Sequence, residues 1–179
     1  RNHFFNSSSV EGYYLIYQML STRAEESYQK TLDKINSGNN SFGLRLEQTL
    51  LEYLMNQCIY FINKNINRRL YANNYLNHAI LLDKKNILLI NNKISPGIFQ
   101  SIILVGLMAE KKEWVSSFIK DKAKKLNTPH KEFVVLIHFA LMDFRLNDIV
   151  GAYNKIEKII KPTKATDPFF IIFFSITRS

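Results

Sequence analysis

Glycine, proline and cysteine are all scarce in this chain, at six, four and one among 179 residues. The first two counts exclude collagen-like and low-complexity classes, and a single cysteine excludes a disulfide scaffold. The glycines stand singly, at 12, 38, 43, 97, 106 and 151, so no glycine-rich loop can cradle a phosphate. No run approaches the ~18 apolar residues of a membrane-crossing helix. The most apolar stretch, Phe169 to Ile176 after Pro168, is far shorter. A signal-peptide core is missing, and the chain opens on Arg1 without a Met. The expectation is part of a longer, cytoplasmic protein.

What is present points to a packed domain. Apolar residues make up 46% of the chain, with thirteen Phe and nine Tyr, which excludes disorder and supplies a core. The net charge is +9, carried mostly by lysine, with 17 Lys against 7 Arg. Abundant Asn and Ile accompany the Lys, as AT-rich coding would produce. The charge is uneven: residues 1–60 sum to −1 and residues 61–179 to +10. A basic C-terminal two-thirds could steer acidic partners, though charge alone argues solubility first.

Helical periodicity recurs throughout, and no strict two-residue alternation appears. A long first helix is expected near 9–36, with Tyr13, Tyr17, Leu20, Ala24, Tyr28, Leu32 and Ile35 as its inward stripe. Asn36–Asn40 ends it with residues that tolerate left-handed dihedrals. Ser41 can open a second helix, with Leu51, Leu54, Met55, Cys58 and Ile62 on its apolar face. A third covers 67–82, with Leu70, Leu76, Ala79 and Ile80 inward. Residues 83–97 read as a short helix or extended connector. Pro96 then opens shorter helices at 96–109, 112–126, 130–145, 148–160 and 168–177, which suit antiparallel hairpins. In the fourth of these, Ile149, Ala152, Tyr153, Ile156, Ile159 and Ile160 share one face. The domain reading is one helical-repeat domain over 1–179: longer helices to 82, a connector at 83–97, and degenerate repeats from 98 onward that continue beyond 179.

Pro96, Pro129 and Pro162 recur at 33 residues, and Trp114–Phe118 aligns on Ile149–Tyr153 at an offset of 35. With that period, the chain resembles the tetratricopeptide-repeat family. The resemblance places Ala140 and Ala152 at the small positions of a helix pair, with Ile149 and Ile156 at large apolar ones. The departures are Asp121 and Lys124, where the family has an aromatic and an alanine, and the absence of the Trp, Leu-Gly and Tyr signature. A second resemblance, to an uncharacterised bacterial family of degenerate helical-repeat proteins, rests on Ile94-Ser95-Pro96-Gly97-Ile98-Phe99, Glu113-Trp114 and Phe118-Ile119. Both imply an all-α, irregular tetratricopeptide-like α-solenoid with a right-handed superhelix; the second implies no activity. Trp114 and Phe118, at four-residue spacing, are expected in the core.

Catalytic and metal chemistry is not legible. Cys58 has no cysteine partner and lies on an apolar stripe, which reads as an inert buried thiol. His3, His78, His130 and His138 never fall at a spacing that puts two imidazoles on one metal. His138, among apolar neighbours, reads as a hydrogen-bonded packing residue. Glu25-Glu26 reads as a solvated helix face, and Asp148 as a helix cap. Lys111, Lys112, Lys120, Lys122, Lys124 and Lys125 cluster in one repeat, with Lys155, Lys158, Lys161 and Lys164 in the next. The cluster lacks the Arg and exposed aromatics that nucleic-acid binders combine.

The functional expectation is therefore a non-enzymatic scaffold, without cofactor or metal, that binds a protein or peptide. The alternative is a basic helical protein that associates with nucleic acid. The repeat alignment puts Val134, Ile137, Leu141, Phe144 and Arg145 on the groove of the best repeat. Only Arg145 is cationic, so an apolar segment suits that groove better than a C-terminal carboxylate. Phe169–Ile176 with Asp167 as cap reads as a helix apolar all round, to be covered by further chain, a second copy or a partner.

Overall fold

A computed structural model describes residues 8–37, 42–129 and 131–160. The described residues are helical: α1 Ser8–Thr22, α2 Glu25–Asn36, α3 Leu44–Asn63, α4 Arg68–Lys84, α5 Pro96–Met108, α6 Lys112–Lys122, α7 Lys131–Arg145 and α8 Ile149–Ile160, with one 3₁₀ turn at Ala123–Lys125. Beyond isolated bridges there is no strand among them. The fold class is all-α, as the periodicity requires. The expected helix at 168–177, Asp167, Pro162, Ser41, His3 and His130 lie outside the described residues.

The chain gathers into two compact units, and it passes from one to the other at Lys93–Ile94, within the expected connector. The first unit holds α1 to α4, and the last turns of α5 (from Leu104) belong to it. The second holds the start of α5 with α6, α7 and α8.

In the first unit, α3 packs along α4, and α1 and α2 pack on α3. Leu50, Leu51, Leu54, Cys58 and Phe61 of α3 are buried, and Met55 and Ile62 with them. That face is the one the apolar spacing predicts. On α4 the inward residues are Tyr71, Ala72, Tyr75, Leu76, His78, Ala79 and Leu82; Leu70, expected inward, is exposed.

The single helix expected over 9–36 is two helices. Arg23 adopts a left-handed φ of 49° and turns the chain. The Thr22 hydroxyl accepts the Ala24 amide at 3.3 Å, and the Arg23 guanidinium lies 4.9 Å from the Tyr60 ring centroid. Glu25 and Glu26 then occupy the first turn of α2, where carboxylates favour the positive end of the helix dipole. The inward face of α1 also differs from expectation. Gly12, Leu15, Ile16 and Met19 are buried, whereas Tyr13, Tyr17 and Leu20 are exposed. Gly12 lets α3 approach: a Cβ there would meet the Leu46 Cδ2 at 2.7 Å.

Asparagine does much of the turning that scarce glycine cannot. Asn65, Asn67, Asn86, Asn91, Asn92 and Asn147 all have positive φ, a region Asn tolerates better than other non-glycine residues. Asn65, Asn86 and Asn147 end α3, α4 and α7 in one pattern. Each donates its amide to the carbonyl three residues back, and the next residue reaches the carbonyl five back, as in Ile66 to Phe61 and Asp148 to Asp143, both 2.9 Å. Asn91 and Asn92 form a tight reversal whose flanks, Ile90 and Lys93, exchange two 2.9 Å backbone bonds.

The second unit opens with Ser95, whose hydroxyl accepts the Ile98 amide at 3.2 Å, and with Pro96 at the first helical position. Backbone bonds join Ile94 to Lys125 and Asn127. Its core includes Phe99, Ile102, Ile103, Val115, Phe118, Ile119, Leu126 and Val134. Ring contacts run from Trp114 to Phe118 at 5.1 Å, Phe118 to Phe99 at 5.5 Å, and Phe99 edge-on to His138 at 5.4 Å. Phe118 is buried and Trp114 half-buried. α7 and α8 form a close hairpin in which Ala140 and Ala152 are both buried.

Candidate functional site

Each unit offers one place where chemistry could gather. In the first it is a buried polar cluster. Tyr28 of α2 places its hydroxyl 2.9 Å from His78 Nε2 of α4, and the Cys58 thiol of α3 donates to the same oxygen at 3.5 Å. Tyr71 stacks edge-on against Tyr28 and donates its hydroxyl to the Glu25 carboxylate at 2.5 Å.

Burial fixes the protonation of this cluster. It pushes the His78 pKa down to about 4 and the Cys58 pKa up to about 12, and it raises the Tyr28 phenol strongly. At neutral pH all three are uncharged. A thiol so protonated and enclosed is a poor nucleophile, and an enclosed neutral imidazole has no substrate to reach. The cluster satisfies polar groups inside a core. His138 is likewise enclosed in the second unit: its Nδ1 donates to the Val134 carbonyl at 2.6 Å, and burial lowers its pKa. Among the described residues no group of three His, Cys, Asp or Glu side chains could hold a metal ion, and no helix is long and apolar enough to cross a membrane.

In the second unit the α7–α8 hairpin carries the five residues singled out for partner binding. They lie along one stripe of α7, but the stripe runs from interior to surface. Val134 and Ile137 are buried, Leu141 is half-buried, and Phe144 and Arg145 are exposed. Val134 and Ile137 belong to the core of the unit and are not open to a ligand. The apolar exposure lies instead around the turn, where Phe144, Leu146, Ile149, Val150 and Tyr153 all stand out. Ile149 and Tyr153 were expected inward on α8; of that face Ala152 is buried and Ile156 half-buried.

The turn is held by side-chain contacts. Asp148 caps α8, accepting the Gly151 amide on Oδ1 at 2.8 Å. The nearly buried Asp143 pairs with Lys155. A Cβ on Gly151 would fall 2.2 Å from Asp148 Oδ2 and 3.0 Å from Asp143 Oδ2, so glycine makes room for both carboxylates. Close by in sequence, Pro129, Lys131, Glu132 and Phe133 line an open depression of about 400 Å³.

The lysine cluster is thinner than its sequence suggests. Lys111, Lys112, Lys120 and Lys124 are exposed, but Lys122 is buried with its amine 2.8 Å from Asp121. That contact holds the Asp121 carboxyl below the usual carboxylate range. Trp114, the only tryptophan, is half-buried with its ring stacked on Phe118. Lys161 and Lys164 lie outside the described residues.

Compared with protein-family models, with curated proteins and with solved structures, the chain matches none.

Proposed function

We propose that this protein is a non-enzymatic helical-repeat scaffold that binds another protein or a peptide. The observation that carries the reading is the exposed apolar group around the α7–α8 turn, Phe144, Leu146, Ile149, Val150 and Tyr153. Exposed apolar side chains grouped at a hairpin turn are characteristic of interaction surfaces, and aromatic anchors dominate binding at such surfaces. Support also comes from short helices joined by tight turns, the arrangement from which tetratricopeptide-like solenoids with a right-handed superhelix are built. The buried, uncharged state of Tyr28, Cys58 and His78 favours a non-catalytic role. The partner that suits the surface is an amphipathic helix or apolar segment; Arg145 is a single cation, too few to clamp a C-terminal carboxylate.

Selection of a displayed peptide library on the purified protein tests this. Apolar, helix-compatible peptides should be enriched, and Phe144→Asp or Val150→Asp should weaken them by at least about tenfold with the circular dichroism unchanged. Enrichment of acidic C-terminal peptides that depends on a free carboxylate would refute it. The nucleic-acid alternative draws on the exposed lysines of the cluster, which among the described residues are Lys111, Lys112, Lys120, Lys124 and Lys158. It requires binding that falls log-linearly with salt concentration.

A further inference from the structure

We infer that the apolar stripe of α8 is covered in cis by the chain's own segment Phe169–Ile176, so that a partner reaching the α7–α8 turn has to displace that segment. The gating of a partner rests on the reading proposed above; the covering itself does not.

α8 leaves one apolar side open. Among the described elements it packs on α7 alone, with Ala152 buried. Ile149 and Tyr153 are exposed and Ile156 is half-buried. At about 100° per residue these three fall within roughly 60° of one another, next to Ala152. The far side is polar: Asn154 and Lys158, turned roughly 140° and 180° from Ile149, are both exposed. An apolar occupant therefore has one place to lie, along Ile149, Tyr153 and Ile156 and beside α7.

The sequence supplies that occupant. Residues 161–179 lie outside the described residues, and among them Phe169–Ile176 is the most apolar run of the chain, Phe and Ile throughout except for Ser175. It carries no charge and needs an apolar neighbour of its own. Only Lys161 to Asp167, seven residues, separate α8 from Pro168. Connections of about two to eight residues join neighbouring antiparallel helices. α8 runs about 17 Å from Ile149 to Ile160, and eight helical residues about 12 Å, so a returning segment lies alongside the stripe.

The tether selects this occupant over a free one. A short linker holds its segment at an effective concentration of the order of 1 mM. A segment that would bind as a free peptide with a Kd of about 100 µM then occupies the stripe about ten to one. The surface is open about a tenth of the time, and the apparent affinity of a partner falls about tenfold. The occupant also defines the partner. What displaces it has to present the same chemistry, an uncharged face rich in Phe and Ile.

Disulfide cross-linking of the whole chain tests the covering. An antiparallel return brings Ser175 level with Tyr153, each seven residues from its end of the connection. Tyr153→Cys with Ser175→Cys is compared with Lys158→Cys with Ser175→Cys, Cys58 being buried and out of reach. Lys158 is nearer to Ser175 in the chain, so loop closure alone favours it. Docking favours Tyr153, because Lys158 faces the other way. Cross-linking within one chain should be at least about fivefold faster at Tyr153→Cys and independent of protein concentration. Faster reaction at Lys158→Cys, or a Tyr153→Cys product found only between two chains, would overturn the inference.

The gating is read with a fluorescent peptide of residues 164–179 added in trans. It should bind the Phe170→Asp/Phe173→Asp protein at least about tenfold tighter than wild type. Tyr153→Asp in that background should abolish the gain. Equal binding of the peptide to wild type and to the Phe170→Asp/Phe173→Asp protein overturns the inference, and leaves the partner reading intact if library peptides still bind at the turn. Faster cross-linking at Tyr153→Cys, with no library peptide bound by either protein, supports the covering and defeats the partner reading alone.

Discussion

The Tyr28 hydroxyl and His78 Nε2 lie 2.9 Å apart in the interior of the first unit, brought together from positions fifty residues apart in the chain. With the Cys58 thiol donating into the phenol oxygen, the phenol's own proton is directed at the imidazole, so His78 serves as a neutral acceptor. Desolvation lowers its pKa from 6.5 to about 4. Between those values the unfolded chain binds a proton that the folded chain refuses, so this contribution is full above pH 6.5 and is lost as pH falls toward 4. The loss amounts to roughly 3 kcal/mol at about 1.4 kcal/mol per pKa unit. Urea denaturation from pH 7 to 4 should show a falling midpoint. His78→Gln, which keeps an acceptor without a titration, should be less stable at pH 7 and show a flatter pH dependence. An unchanged slope in that variant would refute the assignment.

Cys58 should behave as a reporter of global opening. Its pKa of about 12 and its burial leave almost no accessible thiolate in the folded chain. A thiol reagent at neutral pH should therefore label the native protein at the rate of unfolding. That rate should rise steeply with urea and match the exposure of the core. Rapid stoichiometric labelling without denaturant would contradict the buried cluster.

How much of this was legible in the sequence depended on how many apolar faces a helix carries. α5 to α8 begin and end within a few residues of expectation, because each is short, bounded by turn residues and periodic. Asp148 capped α8 as its residue type suggested. α1 was misread because it has two stripes, and periodicity cannot say which faces inward. Gly12 held the missing signal, since a glycine within a helix marks a close approach. The break at Arg23 carried no capping signal, since α2 opens after Ala24 without a side-chain cap. On α7 the stripe was right in direction, but Val134 and Ile137 proved to be core: helical spacing identifies a face and not the depth at which another element covers it.

Asn147 should discriminate between substitutions by backbone alone. Its φ of 66° lies in the left-handed region, where a Cβ without a local hydrogen-bonding side chain costs about 1–2 kcal/mol. Asn147→Ala should destabilise the protein by about that much, whereas Asn147→Gly should be within about 0.5 kcal/mol of wild type, glycine having no such cost. Chemical denaturation of the two variants checks it. Equal effects would mean that the turn is held by contacts of the Asn side chain.

Gly12 and Leu46 allow a prediction whose sign changes with background. Replacing a helical glycine by alanine ordinarily gains about 1 kcal/mol of helix propensity. Here the new Cβ would fall 2.7 Å from Leu46 Cδ2 and 3.1 Å from Leu46 Cγ, so Leu46 has to move or α1 has to lift from α3. Overpacking of this kind costs about 1–3 kcal/mol, which outweighs the propensity gain. Gly12→Ala should thus destabilise the wild-type protein by about 1 kcal/mol. In a Leu46→Ala background the obstruction is gone, and the same substitution should stabilise by up to about 1 kcal/mol. The difference between the two backgrounds is the coupling energy of a double-mutant cycle, expected near 2 kcal/mol. Additive effects in the cycle would show that α1 does not rest on α3 at this point.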